Sequence, residues 1–339
     1  MTTAANSKVL LTGATGFLGR HLTEQLVARG NSSLRVLNFG APPDWLVTLD
    51  LEIVDGSITD ANTVRDLVQG ADAIYHLAGQ VSRDPDDARQ MHVVHVEGTR
   101  VLCEAARDAG VRRIVMASSS GTVAVSKSKS DCPDESWPTP MAIISRWPYY
   151  VSKAYQEQVA RRICGDDVEL VIVNPSLLLG PGDDRLSSTQ DVLRFLQRDI
   201  PAVPSGGVNF VDARDAAAAF IAAMERGRPG ERYLLGGPNW TCREFFGRLE
   251  RVSKVSAPKL QLPDKLALFG ARVVDSVYRH AGRLPPLEFT SVEMGTYFWY
   301  LDDSKARREL GFSSRDPLET LYDTVTYLRD HFLGSDAFS

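Results

Sequence analysis

Residues 12–19, TGATGFLG, limit what this chain can become more than any other stretch. Gly13, Gly16 and Gly19 let a backbone turn sharply, approach a pyrophosphate and set a helix close against a sheet. The turn follows an apolar run at 8–12 (KVLLT) and precedes a helical pattern at 16–29. It therefore reads as a strand-turn-helix whose helix N-terminus receives a diphosphate. Behind it, β-branched runs at 34–39, 51–54, 73–77, 113–117 and 169–173 alternate with helical stretches at 60–69, 91–109 and 149–163. That alternation predicts an α/β chain with a doubly wound parallel sheet. Further on, helical patterns at 189–197, 212–226, 242–254, 263–280 and 305–310 predict a smaller, mostly helical lobe. The expected division is a dinucleotide-binding domain at 1–175 and a substrate-binding lobe at 176–339, with segments of the second returning to the first.

Composition removes several functions. Lys+Arg 38 against Asp+Glu 43 gives a net charge of −5, leaving no basic surplus for nucleic acid. No run of about 18 apolar residues predicts a spanning helix. A strand begins almost at once, without room for a secretory signal, so the cytoplasm is the expected location. Cys103, Cys132, Cys164 and Cys242 fall at no metal-ligand spacing, and no metal is expected. The helix at 263–280 carries an apolar face and is expected to cap a pocket or dock on the core, the alternatives being a membrane surface or a dimer contact.

Chemistry gathers after the fifth strand. Ser118, Ser119 and Ser120 are followed by Gly121 and Thr122, at a strand end that should face a ligand crevice. Tyr149 and Lys153 stand four apart, on one face of a predicted helix. A tyrosine whose pKa is lowered by an ammonium can exchange a proton near neutral pH, and a serine hydroxyl can polarise a carbonyl. A nicotinamide would carry the hydride. At the end of the second strand, Asn38 stands where an acid would select NAD or an arginine NADP. Asn38 can meet a ribose hydroxyl, and the missing cation leans towards NAD; Arg20 or Arg35 could supply NADP binding.

TGATGFLG, Tyr75-His76-Leu77-Ala78-Gly79, SSSGTV at 118–123, Tyr149-x-x-x-Lys153 and Asn174-Pro175-Ser176…Gly180-Pro181 together resemble the extended short-chain dehydrogenase/reductases. The resemblance runs nearly the whole chain, to Asp303-Ser304-Lys305-Ala306 and Glu309-Leu310-Gly311-Phe312. It points to the branch with dihydroflavonol reductases, 3β-hydroxysteroid dehydrogenases and hopanoid-associated sugar epimerases. It implies a Rossmann fold, NAD or NADP as cofactor, and a homodimer through the helices at 91–109 and 149–163. The catalytic set falls on Tyr149, Lys153 and Ser120, with Ser119 as runner-up. The implied cofactor site comprises Gly13, Thr15, Gly16, Phe17, Leu18, Asn38, Ser57, Ile58, Leu77, Ala78, Gly79, His95 and Ser118, with Tyr149, Lys153, Asn174, Pro175 and Ser176. Thr122, Trp147, Leu177, Leu178 and Phe210 are expected beside the substrate.

Two departures stand out. The family's Asn-Val-x-Gly-Thr is here His95-Val96-Glu97-Gly98-Thr99, so His95 either joins a proton relay or is a packed histidine. The usual Gly-Asp-Leu is Gly56-Ser57-Ile58, which leaves Ser57 where an acid meets the adenine amine. The sixth strand lacks the arginine that sugar-nucleotide enzymes use, and no carboxylate follows Ser120. The candidate covering segments are apolar or aromatic: Met141, Ile143, Ile144, Trp147, Leu177, Leu178, Leu179, Phe210, Trp240, Tyr297, Phe298 and Trp299. The reading is an NAD(P)H-dependent ketone reductase acting on an apolar or aromatic, secondary-metabolite-like small molecule. The alternatives are a sugar-nucleotide epimerase with tightly bound NAD and a non-catalytic dinucleotide-binding protein.

Overall fold

Six strands appear where alternation predicts them: β1 (Val9–Thr12), β2 (Leu34–Asn38), β3 (Glu52–Asp55), β4 (Ala73–His76), β5 (Arg113–Ala117) and β6 (Glu169–Pro175). The computed structural model describes residues 8–31, 33–280 and 288–334. Four further strands are β7 (Leu177–Leu179), β8 (Gly207–Asp212), β9 (Arg232–Leu235) and β10 (Asn239–Thr241). The main sheet is parallel throughout, in the order β3-β2-β1-β4-β5-β6-β9. The order reverses direction between β1 and β4, and in open α/β sheets that switch point opens a crevice at the carboxyl ends of the strands.

Strand periodicity sends alternate side chains to opposite faces, and both faces are covered. Val9, Leu11, Tyr75, Val115 and Val171 meet the helices Phe17–Ala28 and Ala213–Arg226. Leu10, Ile74, Ile114, Met116 and Ile172 meet Val64, Leu102, Ala106 and Ala160 on the other side. Burying both faces explains why these strands read as continuous apolar runs.

The second half is mostly helical, as expected, but also holds short strands that the helical patterns did not predict. β10, β8 and β7 form a second sheet, antiparallel between β10 and β8 and parallel between β8 and β7. These strands are three to six residues long, too short to set a period against flanking apolar residues. Sequence reading also missed the helix Pro317–Leu328, which packs Leu321, Val325 and Leu328 into the lobe's core. The predicted long helix at 91–109 is interrupted by a π-helical turn, Val93–Glu97, which carries His95. Among the described residues, no helix is long and apolar enough to cross a membrane.

Candidate active site

One cavity of about 1210 Å³ runs from the carboxyl ends of the sheet strands into the second lobe. The glycine turn closes one end of it. Gly13 has φ +78°, and a Cβ there would lie 2.6 Å from Ala78 N. A Cβ on Gly19 would lie 2.0 Å from Gly13 O, so the helix Phe17–Ala28 can approach only without side chains. Gly16 caps that helix without a side-chain hydrogen bond, which leaves its first N–H groups for a ligand. An NAD(P) diphosphate fits this cradle of backbone donors. Thr15, Gly16, Phe17 and Leu18 line the cavity here, with Ser57 and Ile58 along its edge and Leu77, Ala78 and Gly79 across from them.

The ribose edge corrects one expectation. Asn38 does not line the cavity; it is buried, and its Nδ2 donates to Gly40 O at 2.5 Å. Phe39, 82% exposed, lines the cavity instead. Arg35 is spent on Glu52 at 2.8 Å and on Leu67 O at 2.7 Å. Arg20 borders the cavity, lies over the Trp45 ring and pairs with Glu24 at 3.0 Å.

Tyr149 and Lys153 project from the helix Pro148–Cys164 into the middle of the cavity. Ser119, which caps the turn Ser120–Thr122, is the serine whose side chain acts on the Tyr149 phenol, favouring its ionised form. Ser118, Ser119 and Ser120 all line the cavity. Ser119, the runner-up, is extended and caps the turn, while Ser120, the expected catalytic serine, enters the turn and is 5% exposed.

The anticipated acidic phenol is also absent. Burial pushes the Tyr149 pKa up to about 12, opposed only by the Ser119 hydrogen bond. Lys153 instead donates to Ala117 O at 3.0 Å and to Gln156 Oε1 at 2.9 Å. Burial lowers its own pKa to about 8, against the pull of Glu157. At neutral pH both groups therefore hold their protons.

His95 resolves into a definite tautomer. Gln80 N–H donates to its Nε2 at 3.0 Å, so Nδ1 carries the hydrogen and donates to Ser152 Oγ at 2.8 Å. Ser152 in turn donates to Tyr149 O at 2.7 Å. Burial first, then the Lys153 charge, holds the ring well below its ordinary pKa. This neutral histidine fastens the loop after β4 to the Tyr149 helix.

Three further expectations meet the structure differently. Thr122 is fully buried behind the cavity, its single hydroxyl hydrogen shared between Ser119 O and Glu157 Oε1, each 2.9 Å from Oγ1. Asn174 is likewise turned inward, with Nδ2 2.8 Å from Glu157 Oε1. Both serve a buried carboxylate that needs donors, so neither lines the cavity, although Pro175 and Ser176 do. Phe210 packs on Trp240 and Phe245 in the lobe's core, away from the cavity.

The substrate side does include Trp147, Leu177 and Leu178. Sequence reading missed Tyr150, whose ring lies 5.0 Å from both Tyr149 and Trp299. It also missed Arg83, in the loop after β4, which Asp191 grips through two hydrogen bonds of 2.8 and 3.1 Å. Nothing in the local sequence of either residue marks that pairing across 108 positions. The helix Asp264–His280 contributes Leu266, Ala267, Ala271 and Val274 to the cavity, as a capping helix would, while Phe269 and Val277 stay exposed.

Residues 9–236 match the model of the NAD dependent epimerase/dehydratase family. The chain is 32% identical over 326 residues to a Synechocystis sp. protein provisionally named dihydroflavonol 4-reductase, covering 95% of this chain and 94% of the relative. It is 28% identical over 322 residues to the Stigmatella aurantiaca 4-hydroxy-2-methyl-3-oxo-4-farnesyl-3,4-dihydroquinoline-1-oxide ketoreductase, covering 91% and 92%. Among solved structures, that of gox2253 superposes with a TM-score of 0.81 at 29% identity, covering 96% of this chain and 99% of the other.

Proposed function

The chain belongs to the NAD dependent epimerase/dehydratase family, as an NAD(P)-dependent oxidoreductase of the extended short-chain dehydrogenase/reductase type, and from that premise we propose that it reduces a ketone on an apolar, ring-bearing small molecule. The observation that carries this is where the Tyr149–Ser119 pair stands. It lies in one continuous cavity, with the glycine cradle at one end and the aromatic wall of Trp147, Tyr150 and Trp299 at the other.

The bound NAD(P)H supplies the hydride. A carbonyl oxygen seated between the Tyr149 and Ser119 hydroxyls receives two hydrogen bonds, and these strengthen as negative charge develops on it. Tyr149 then gives up its proton; a phenol that burial keeps protonated is suited to donate rather than to abstract. Lys153, itself protonated near neutrality and lining the same cavity, supplies positive charge that favours a phenolate. The wall excludes water and favours an apolar ring. Arg83, one of the guanidiniums on this side together with Arg185 and Arg194, is paired with Asp191. The name of the Stigmatella relative, a ketoreductase of a farnesylated ring ketone, fits the same chemistry.

Purified protein should consume NADH or NADPH stoichiometrically with cyclic or aryl ketones. Tyr149→Phe should lower kcat by roughly 10²–10⁴-fold, and Ser119→Ala should cost more than Ser120→Ala. An undiminished rate in Tyr149→Phe would refute the mechanism. Tightly bound cofactor with no net consumption would instead favour an epimerase.

A further inference from the structure

A second hydrogen-bonded system runs behind the cavity wall, and the proposed reaction does not use it. It begins at Lys153. An ammonium has only donors, so its 2.9 Å bond to Gln156 fixes that amide with the oxygen towards Lys153 and the nitrogen away. The Gln156 Nε2 donates to Thr99 Oγ1 at 2.9 Å. Thr99 Oγ1 meets His76 Nε2 at 2.8 Å, and His76 Nδ1 meets Thr12 Oγ1 at 2.8 Å. Thr12 Oγ1 also accepts from Ala78 N–H at 3.2 Å. Thr12, His76, Thr99 and Gln156 are all 0% exposed.

The chain thus crosses from the Tyr149 helix, through the helix Gly98–Asp108, to the ends of β4 and β1. Thr12 immediately precedes the glycine turn, and Ala78 follows β4 on the cavity wall. Polar side chains in so enclosed a place are costly unless every member is satisfied, and a satisfied chain is rigid. An apolar residue at 156 would leave the ammonium with Ala117 O as its one fixed acceptor.

We propose that Gln156 is a positioning residue for Lys153, and that the chain through Thr99 and His76 ties the place of that ammonium to the strand end bearing the glycine turn. The proposal rests on the reductase reading only for Lys153's part in the reaction. Other groups facing the ammonium are accounted for. Glu157, one turn further along the same helix, favours its charge. His95, from the π-helical turn, and His76, from β4, are both held neutral by burial. Gly79 leaves the space between: a Cβ there would lie 3.5 Å from Lys153 Nζ and 2.8 Å from His95 Nε2.

Opposite substitutions at one position separate positioning from mere support. Gln156→Leu removes an acceptor and should lower the pH at which Lys153 loses its proton by about one to two units. Gln156→Glu replaces the acceptor with a carboxylate and should raise it. The direct readout is the Nζ titration followed by NMR of selectively labelled lysine, with the resonance assigned by its loss in Lys153→Met. The basic limb of kcat/KM should move with it in each variant. Thr99→Val frees the far side of the amide and should lower the titration by less than Gln156→Leu; it also serves where a variant at 156 fails to fold.

A titration unmoved by these changes, or moved the same way by Leu and Glu, overturns the proposal whatever the activity. Opposed shifts in a protein that reduces no ketone would sustain the positioning role and remove the reductase reading instead.

Discussion

The two ends of the cavity are built by different means. At the nucleotide end the backbone itself is the binding surface. Gly13, Gly16 and Gly19 form it within seven residues, and the facing wall is the short loop after β4. At the substrate end side chains do the work, and they come from residues as far apart as Arg83, Trp147, Asp191 and Trp299. A backbone surface admits one local solution and tolerates almost no substitution. A side-chain surface can be rebuilt residue by residue, which is how one fold serves different substrates.

The largest expected effect lies at the rigid end. Gly19→Ala would force a methyl group to 2.0 Å from Gly13 O, so the helix must withdraw from the turn. NADH and NADPH should then no longer raise the melting temperature, whereas each ligand that binds the wild type must raise it by mass action. A cofactor-dependent shift retained in Gly19→Ala would break the contrast drawn above.

Phe210→Ala tests the other end. Its ring is 2% exposed and lies in the lobe's core rather than on the cavity, so truncation should cost about 3–5 kcal/mol of stability. The KM values for ketone and cofactor should stay within about twofold once the variant is folded. A selective rise in the ketone KM would return Phe210 to the substrate surface.

The smallest effect concerns the residue between the two ends. The Lys153 pKa is about 8 in the folded protein and near 10.5 when unperturbed, so between those values the unfolded chain binds the extra proton. Stability should therefore rise with pH across that window, while reductase activity falls through its lower edge. Denaturant melts at pH 7.5 and 9.5 should show this gain in the wild type, and Lys153→Met should lack it.

The nucleotide half was legible because its signals are local. The glycine turn, the apolar strands and the Tyr149–Lys153 spacing each lie within one element, where a period or a turn residue dictates geometry. The substrate half was legible only as composition. Trp147, Leu177 and Leu178 reach the cavity, but Phe210, just as apolar, goes to the core; hydrophobicity alone cannot tell a wall from an interior. Thr122 and Asn174 were misplaced for a related reason: both answer the buried Glu157 carboxylate, a partner 35 and 17 positions away.

The sequence by itself determined the parallel sheet and the helix that presents Tyr149 and Lys153, because steric limits on φ and ψ and the burial of apolar faces act over a few residues at a time. Only the tertiary structure decided that Ser119 caps the turn while Ser120 enters it, that Lys153 leans on Gln156, and that His95 is neutral and fully bonded. Those outcomes depend on hydrogen bonds between segments far apart in the chain, and on the desolvation that enclosure by all of them imposes.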